Sequence, residues 1–303
     1  GIAVRRVVAH DVTRRDRTAR PAEAAPAGQR QQGLRQRSPR QWSPHGGDVS
    51  PGVAVSSYGD GMELGISGRR AAVAAATSGL GLASAVALAA EGVHVAICGR
   101  DPDRLAAAAA IVGHGCVPIE ADVSTAEGAA RFVDDAAAAL GAVDILVPNA
   151  GGPPPGTFAS TPVDAYPAAL ELNLLSIVAM CKAAVPAMQE RRWGRVVAIT
   201  SLSVRQPIAQ LILSNTARAG ATGFLKTLAL EVAGDGVTVN SVQPGLHRTP
   251  RVTELYGEEQ QASMRMGDAA DFGQVVAFLC GEPAKFTTGV QLHVDGGAYQ
   301  GLL

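Results

Sequence analysis

Several residue types that would mark particular classes of protein are scarce in this sequence. Aromatic residues make up 4% of the 303 residues, and charged residues make up 17%. The cysteines lie far apart and form no C-x-x-C pair and no cluster with histidine, which argues against a zinc site or a disulfide framework. We therefore predict no metal, and we interpret the cysteines as small core or surface residues. They are Cys98, Cys116, Cys181 and Cys280.

Long apolar runs are also missing from the sequence. No run approaches the roughly 20 residues that a helix needs to cross a bilayer. The first residues do not show the charged and then apolar pattern of a signal peptide. With 47% hydrophobic residues, the chain has enough apolar surface for a sizeable core. We expect a globular cytoplasmic protein without a membrane partner.

Lysine is absent from residues 1–60, although ten arginines occur there against five acidic residues. Proline, glycine, glutamine and arginine are scattered through this stretch without a helical or strand period. Because such a composition cannot bury enough apolar surface to order itself, we predict that residues 1–61 are mostly disordered. An arginine-rich tail can bind nucleic acid, but no aromatic or lysine pattern accompanies these arginines. We favour an unstructured extension and no nucleic-acid partner.

A regular alternation begins at Met62. Short apolar runs alternate with longer stretches rich in alanine and leucine, which is typical of βαβ units whose parallel sheet is covered on both faces. We predict one α/β domain over residues 62–303, with a Rossmann-type, doubly wound parallel sheet of about seven strands. The predicted strands are 71–76, 93–98, 116–120, 143–148, 196–200, 237–242 and 290–294, and the longest predicted helices are about 165–190 and about 212–233.

A glycine-containing loop, AAATSGLGLA, follows the first predicted strand and opens a helix. Gly79 and Gly81 would let the backbone approach a pyrophosphate at the amino-terminal end of that helix. The second strand ends at Arg100, where proteins that bind a free ribose 2′-hydroxyl have an acidic residue. Because an arginine can pair with a 2′-phosphate, this arrangement favours NADP(H) over NAD(H). The alternative is a solvated arginine at a strand end.

Further motifs follow the glycine loop in a fixed order. They are Asp122-Val123, Asn149-Ala150-Gly151, Asn173, Ser201, Pro244-Gly245 with Thr249, and Asp295-Gly296-Gly297. Ser201 lies 28 residues after Asn173, and position 214 lies 13 residues after Ser201. In these motifs and spacings, residues 62–298 resemble the short-chain dehydrogenase/reductase family, most closely its 3-oxoacyl-carrier-protein-reductase-like members.

The resemblance implies an NADP(H) site and a catalytic group on this chain. In the family, the residues at Asp122 and Val123 contact the adenine, and the tetrad of Asn, Ser, Tyr and Lys performs the reaction. The predicted catalytic residues are Asn173, Ser201, Ser214 and Arg218. The predicted cofactor contacts are Thr77, Ser78, Gly79, Leu80, Gly81, Arg100, Asp122, Val123, Asn149, Ala150, Gly151, Arg218, Pro244, Gly245 and Thr249.

The sequence departs from the family's pattern at two places. Ala74-Ala75 replaces the first Thr-Gly pair, and a positive φ there would cost an alanine up to about 1 kcal/mol. Ser214 and Arg218 replace the tyrosine that protonates the substrate oxygen and the lysine that holds the nicotinamide ribose. The serine hydroxyl is too short and far too weakly acidic to act as that phenol, whereas an arginine still donates to ribose hydroxyls. The alternative for Ser214 is a helix-start residue without chemistry.

Other side chains are candidates for the missing proton donor or for shaping the pocket. His247 lies in the loop that borders the nicotinamide in the family, although a surface position is the simpler expectation. Tyr256 lies in a variable segment that can close over the pocket. The stretch GGPPPG, residues 151–156, is stiff and forms either a pocket wall or a surface connection.

The sequence thus predicts an NADP(H)-dependent ketoreductase that acts without the family's tyrosine and forms a homodimer or homotetramer. A ketone with a neighbouring phenol, as in an aromatic polyketide, would need little help from an enzymic acid. One alternative is a regulatory protein that kept the cofactor fold and lost catalysis. Another is a non-redox reaction such as dehydration or cyclisation.

Overall fold

The computed structural model describes residues 62–302, and its centre is one parallel sheet of seven strands. The predicted doubly wound sheet is confirmed. Residues 1–61, for which we predict disorder, lie outside the described residues. The strands are β1 Arg70–Val73, β2 His94–Gly99, β3 Val117–Glu120, β4 Ile145–Val147, β5 Gly194–Ile199, β6 Val237–Pro244 and β7 Gln291–Val294. Their order is β3-β2-β1-β4-β5-β6-β7, so the strand order reverses between β1 and β4, where sheets of this kind bind ligands.

Helices cover both faces of the sheet. They are α1 Gly79–Ala90, α2 Pro102–Val112, α3 Ala126–Leu140, α4 Tyr166–Leu170, α5 Ser176–Glu190, α6 Ile212–Val232, α7 Pro250–Gln261 and α8 Ala269–Cys280. One apolar core lies under α1, α2 and α8 and includes Phe272, and a second lies under α3, α5 and α6 and includes Phe132. The strands are apolar on both faces because both faces are covered.

Short polar residues and glycines set the ends of the helices. The Asp101 side chain accepts a hydrogen bond from the Arg104 N–H at the start of α2, and Thr125 accepts one from the Gly128 N–H at the start of α3. Gly141 ends α3 in a left-handed conformation at φ 86°. Such caps satisfy backbone groups that the helix leaves free and contribute about 1 kcal/mol each. They mark the starts of α2 and α3 and the end of α3.

Strand β1 ends three residues before the predicted limit of 76, at Val73. The chain leaves the sheet because Ala75 has a positive φ of 47°, which is costly for any residue with a Cβ. The Ala75 N–H donates to the Cys98 sulfur at 3.3 Å. The positive φ considered for this turn is therefore present, and an alanine adopts it.

The predicted helix at about 165–190 is one apolar segment, Val163–Glu190, with an irregular start. Within its 28 residues, an 18-residue window has a mean hydropathy of 1.7, so length and composition alone would allow it to cross a membrane, contrary to the expectation from sequence. Ile177, Met180 and Met188 are nevertheless buried in the core beneath α3 and the sheet, as in the core helix of a globular protein. A π-turn at Glu171–Leu175 interrupts the segment, and Asn173 lies within it.

Two of the buried charges lie near the amino-terminal edge of the sheet, and both are paired. Asp144, 1% exposed, accepts from Arg70 at 2.7 Å. Arg195, 2% exposed, pairs with Glu282 at 3.2 Å and lies over the ring of Trp193. Paired charges of this kind are structural. They contrast with Arg218, which is buried near the opposite edge of the sheet.

Candidate active site

The loop between β1 and α1 forms one wall of a cleft at the carboxyl-terminal edge of the sheet. Ser78, the residue before α1, is extended and its side chain makes no capping hydrogen bond, so the first N–H groups of the helix are left uncapped. A Cβ on Gly81 would lie 2.7 Å from the Asn149 amide nitrogen and 2.8 Å from the Ala75 carbonyl oxygen. Only glycine fits there. This tight turn, opening a helix with free N–H groups, fits a dinucleotide pyrophosphate.

The two walls of the cleft approach each other at Gly79 and Thr249. Gly79 has a φ of 59°, and a Cβ on it would lie 3.5 Å from the Thr249 side chain. The Asn149 amide donates to the carbonyls of Ala74 and Ala75 at 3.2 Å, which ties the end of β4 to the glycine loop. The predicted cofactor residues of β1, β4 and β6 therefore lie at one cleft.

Arg100 and Asp122 lie at the far end of this cleft, at the ends of β2 and β3. Arg100 is exposed and forms no ion pair within residues 62–302. The pKa of Asp122 is lowered, since hydrogen bonds from Ser124 and the charge of Arg100 outweigh the opposing effect of burial. Val123 is buried beside it. This corner thus presents a free guanidinium beside a carboxylate that stays ionised.

Asn173 lies in the π-turn and is completely buried. Its amide donates to the Gly151 carbonyl at 2.9 Å, while its Oδ1 has no hydrogen-bond partner among the described residues. A buried, unpaired oxygen at a cleft is a place for a water or ligand donor. The π-turn explains how a helix residue reaches the segment after β4, because the widened turn re-aims the side chain.

Arg218 is 7% exposed, and its guanidinium is held between the ends of β4 and β5. It donates to the carbonyls of Ile199 at 3.1 Å, Thr200 at 3.2 Å, Ala150 at 3.2 Å and Gly151 at 3.4 Å. Burial, with a smaller contribution from the charge of Arg251, lowers the pKa of Arg218 to about 10. The side chain is still a cation at neutral pH.

Ser201 and Ser214 differ in what their hydroxyls can do. The Ser201 oxygen accepts a hydrogen bond from the Ser203 N–H at 3.1 Å, so its own proton is free to be donated. Ser214 is 7% exposed, and its hydroxyl makes no hydrogen bond to any residue of the described region. The residue before α6 is Leu211, so Ser214 lies within the first turn and does not cap the helix. No neighbouring group among residues 62–302 activates Ser214.

The two alternative proton donors have different surroundings. His247 is 4% exposed, so the predicted surface position is wrong. Its Nδ1 lies 3.2 Å from the Gly245 carbonyl oxygen, and its ring contacts Phe272 edge to face at 5.2 Å. The ring is therefore engaged in packing against α8. Tyr256 lies on α7, half-buried.

The proline stretch is fixed at both ends. Pro153 is buried, and its carbonyl accepts a hydrogen bond from Arg251 at 3.1 Å. The Gly156 N–H donates to the Gln210 carbonyl, and the Ile212 N–H donates to the Gly156 carbonyl. These contacts tie residues 151–156 to α7 and to the start of α6. The stretch is therefore held against the elements that carry Ser214 and Arg218, which favours a pocket wall over a loose surface connection.

A cavity of about 740 Å³ extends along α7. Thr249 lines it, and the cavity therefore adjoins the cleft, but its other walls were not predicted from the sequence. Neither the methionines of this cavity nor Arg251 belongs to a recognisable motif, which is why motif reasoning missed them. The cavity is lined by Arg248, Thr249, Pro250, Thr253, Gln261, Ala262, Met264 and Met266.

A doubly wound parallel sheet with a glycine turn that opens its first helix defines a dinucleotide-binding protein of the Rossmann type. The family model described as enoyl-(acyl carrier protein) reductase matches residues 74–299. The chain belongs to the short-chain dehydrogenase/reductase family.

Relatives and solved structures agree with this assignment. Dehydrogenase/reductase SDR family member 4 of Oryctolagus cuniculus is 34% identical over 75% of this chain and 92% of that protein. L-Sorbose reductase of Gluconobacter frateurii, solved with NADPH and L-sorbose, is 30% identical with a TM-score of 0.74, covering 80% of this chain and 100% of that one. An NADPH-bound short-chain oxidoreductase of Pseudomonas aeruginosa PAO1 with an atypical catalytic center is 28% identical with a TM-score of 0.72, covering 77% of this chain and 97% of that one.

Proposed function

We propose that the protein is an NADP(H)-dependent ketoreductase that works without a tyrosine acid. The observation that carries this proposal is the network around Arg218. A cation remains where the family's lysine lies, and it is bonded to the ends of β4 and β5. Ser201, the residue after Thr200, keeps a free hydroxyl proton. Ser214, by contrast, has no partner in the described region that would make it acidic.

The residues of the cleft divide into those that hold a cofactor and those that act on a ketone. The glycine loop and Thr249 would hold the pyrophosphate, and Arg218 would hold the nicotinamide ribose. When bound, NADPH supplies the hydride. The Ser201 hydroxyl donates a hydrogen bond to the ketone oxygen and stabilises the negative charge that develops there. Asn173 keeps the Gly151 carbonyl in place for Arg218.

The proton that completes the alcohol then has to come from the substrate or from water. A phenol next to the ketone, as in an aromatic polyketide, carries such a proton and already forms a hydrogen bond to the carbonyl oxygen. We propose this class of ketone as the substrate. The unpaired Oδ1 of Asn173 supports a water in the same region.

The cofactor preference tests the role of Arg100. Arg100→Ala should lose most of the preference for NADPH over NADH, because one or more charge-assisted hydrogen bonds, each about 1.5 to 3 kcal/mol, are removed. Equilibrium binding of both cofactors measures this. Arg131→Ala, which removes an exposed charge from α3, is the matched control and should leave the preference unchanged. Equal affinity of the unaltered protein for both cofactors would contradict the assignment.

Turnover separates the proposed reductase from the other functions that the sequence allows. The protein is mixed with NADPH and a panel of ketones, half of which carry a phenol beside the carbonyl, and NADPH oxidation is followed with product mass. Oxidation of NADPH with a gain of two hydrogens in the product supports the ketoreductase. Tight NADPH binding without any turnover points to a regulatory protein. A product that has lost water or closed a ring while NADPH is unchanged points to a non-redox reaction.

Large apolar side chains on the outer helices support a homodimer or homotetramer. Leu230 on α6 is 72% exposed, and Leu175, just before α5, is 42% exposed. Burying such side chains between subunits is favourable by about 1.5 to 3 kcal/mol each. We expect light scattering at micromolar concentration to give two or four times the chain mass. A monomer mass contradicts this proposal.

A further inference from the structure

Two arginine side chains contact the same short stretch of backbone after β4. Arg218 donates to the carbonyls of Ala150 and Gly151 at 3.2 and 3.4 Å. Arg251, from α7, donates to the carbonyl of Pro153 at 3.1 Å. Asn173 bonds the same stretch, and Ser201 follows Thr200, which also accepts from Arg218. Both cations therefore lie at the end of the cleft that carries the candidate catalytic residues Asn173 and Ser201.

Gly152 lies close against the Arg251 guanidinium. A Cβ at this position would lie 3.1 Å from Nη2 and 3.3 Å from Nε of Arg251. A larger residue would therefore require the guanidinium to shift by a few tenths of an ångström. The backbone between the two carbonyl contacts thus packs closely against the Arg251 side chain.

The charge of Arg218 is not balanced by a carboxylate among the described residues. No carboxylate within residues 62–302 forms an ion pair with Arg218. The charge of Arg251 also contributes to the lowered pKa of Arg218, so the two cations interact unfavourably. An anionic group bound between or beside them would relieve that repulsion.

Arg251 can exchange its present partner. Its Nη1 pairs with Glu254 at 3.0 Å, one helical turn along α7, and the side chains are 34% and 68% exposed. An exposed pair of this kind contributes about 0 to 1 kcal/mol, so a better acceptor can replace the carboxylate of Glu254. A guanidinium offers a planar fork that matches two acidic oxygens.

We propose that Arg251 is a specificity residue that binds an acidic oxygen group of the substrate, either a carboxylate or an acidic phenol, near the ketone. This inference rests on the proposed reductase function, because it takes the bound ligand to be the ketone that the enzyme reduces. Recognition of the acidic group itself is a binding property that can be measured without turnover.

The test uses matched pairs of ligands with the full-length protein saturated with NADPH. One set contains keto acids with two to four carbons between the ketone and the carboxylate, each with its methyl ester. The other contains aryl ketones with a neighbouring phenol, each with its methyl ether. Binding is measured by quenching of NADPH fluorescence, and turnover is measured in parallel.

We expect the unaltered protein to bind the acidic member of at least one set about tenfold more tightly than its neutral partner. Arg251→Gln should weaken binding of that acidic ligand about 10- to 100-fold and change binding of the neutral partner less than about threefold. Arg251→Lys should fall between, because it keeps the charge and loses the fork. Glu254→Gln, which removes the competing carboxylate, should retain or tighten acid binding. The set that shows the preference identifies the acidic group.

Three results would overturn the proposal. They are equal affinity for acidic and neutral partners in both sets, an equal loss for both partners in Arg251→Gln, and a loss of NADPH affinity in that variant, which would assign Arg251 to the cofactor. Acid-selective binding that depends on Arg251, without NADPH oxidation by any ketone, would sink the reductase function and leave the recognition intact. Turnover of neutral ketones without any preference for acidic ones would support the reductase function and contradict the proposed role of Arg251.

Discussion

Ser201→Ala should slow single-turnover hydride transfer by about a hundredfold or more with NADPH still bound. The Ser201 hydroxyl accepts from the Ser203 N–H at 3.1 Å, which orients it and leaves its proton for the ketone oxygen. A preorganised donor of this kind acts on developing charge and needs no ionisation of its own. Loss of one such donor typically costs 10² to 10³ in rate.

Ser214→Ala is the control for this experiment and should slow the same step by less than about tenfold. An aliphatic hydroxyl does not supply a proton at neutral pH, and no neighbour in the described region polarises it. Both variants are compared by stopped-flow oxidation of bound NADPH with one accepted ketone. If Ser214→Ala is inactive while its NADPH affinity is unchanged, the proton does not come from substrate or water, and our account of the mechanism is wrong.

Arg218→Met should weaken NADPH binding about 10- to 100-fold and lower the free energy of unfolding by about 2 to 4 kcal/mol. The substitution leaves three buried backbone carbonyls without their present donor, while the fourth, that of Gly151, keeps its hydrogen bond from Asn173. Each unpaired buried polar group costs about 1 to 3 kcal/mol. Water that enters the space left by the arginine would bond some of these carbonyls and reduce that cost. Denaturant unfolding and cofactor titration measure the two effects separately.

Two further variants make the Arg218 experiment specific. Lys226→Met removes a cation from the same helix that donates to one carbonyl, that of Gly289 at 3.0 Å, near an exposed surface. It should cost less than about 1 kcal/mol and leave NADPH binding unchanged. Arg218→Lys should retain part of both properties, because an ammonium replaces some of the donors but not the planar fork. A fully stable Arg218→Met protein would show that the carbonyl network is not structural.

The sheet and the cofactor cleft could be predicted because they depend on local signals. The apolar strands, the glycine loop and the cap at Asp101 are each specified by residues close together in the chain. The parallel topology then places the strand ends at one edge. These local signals therefore place Gly79, Asn149 and Thr249 at one cleft.

The remaining features depend on contacts between distant residues. His247 has the same local sequence whether it faces water or Phe272, and only the packing of α8 decides this. The π-turn at Asn173 arises within an otherwise regular apolar helix. Arg251 donates a hydrogen bond to Pro153, 98 residues away in the chain, and no pattern of apolar residues in the sequence predicts that contact. These contacts are set by tertiary structure, which local pattern does not encode.

The left-handed alanine at position 75 has a practical consequence for protein engineering. Every alanine codon becomes a glycine codon by one base change. A single base change therefore gives Ala75→Gly, in which the turn has no strained Cβ. Its φ of 47° costs an alanine about 1 kcal/mol, an amount that a domain with an ordinary stability margin tolerates. The glycine variant is therefore the natural background in which to build destabilising changes such as Arg218→Met, since it restores part of the margin that they remove.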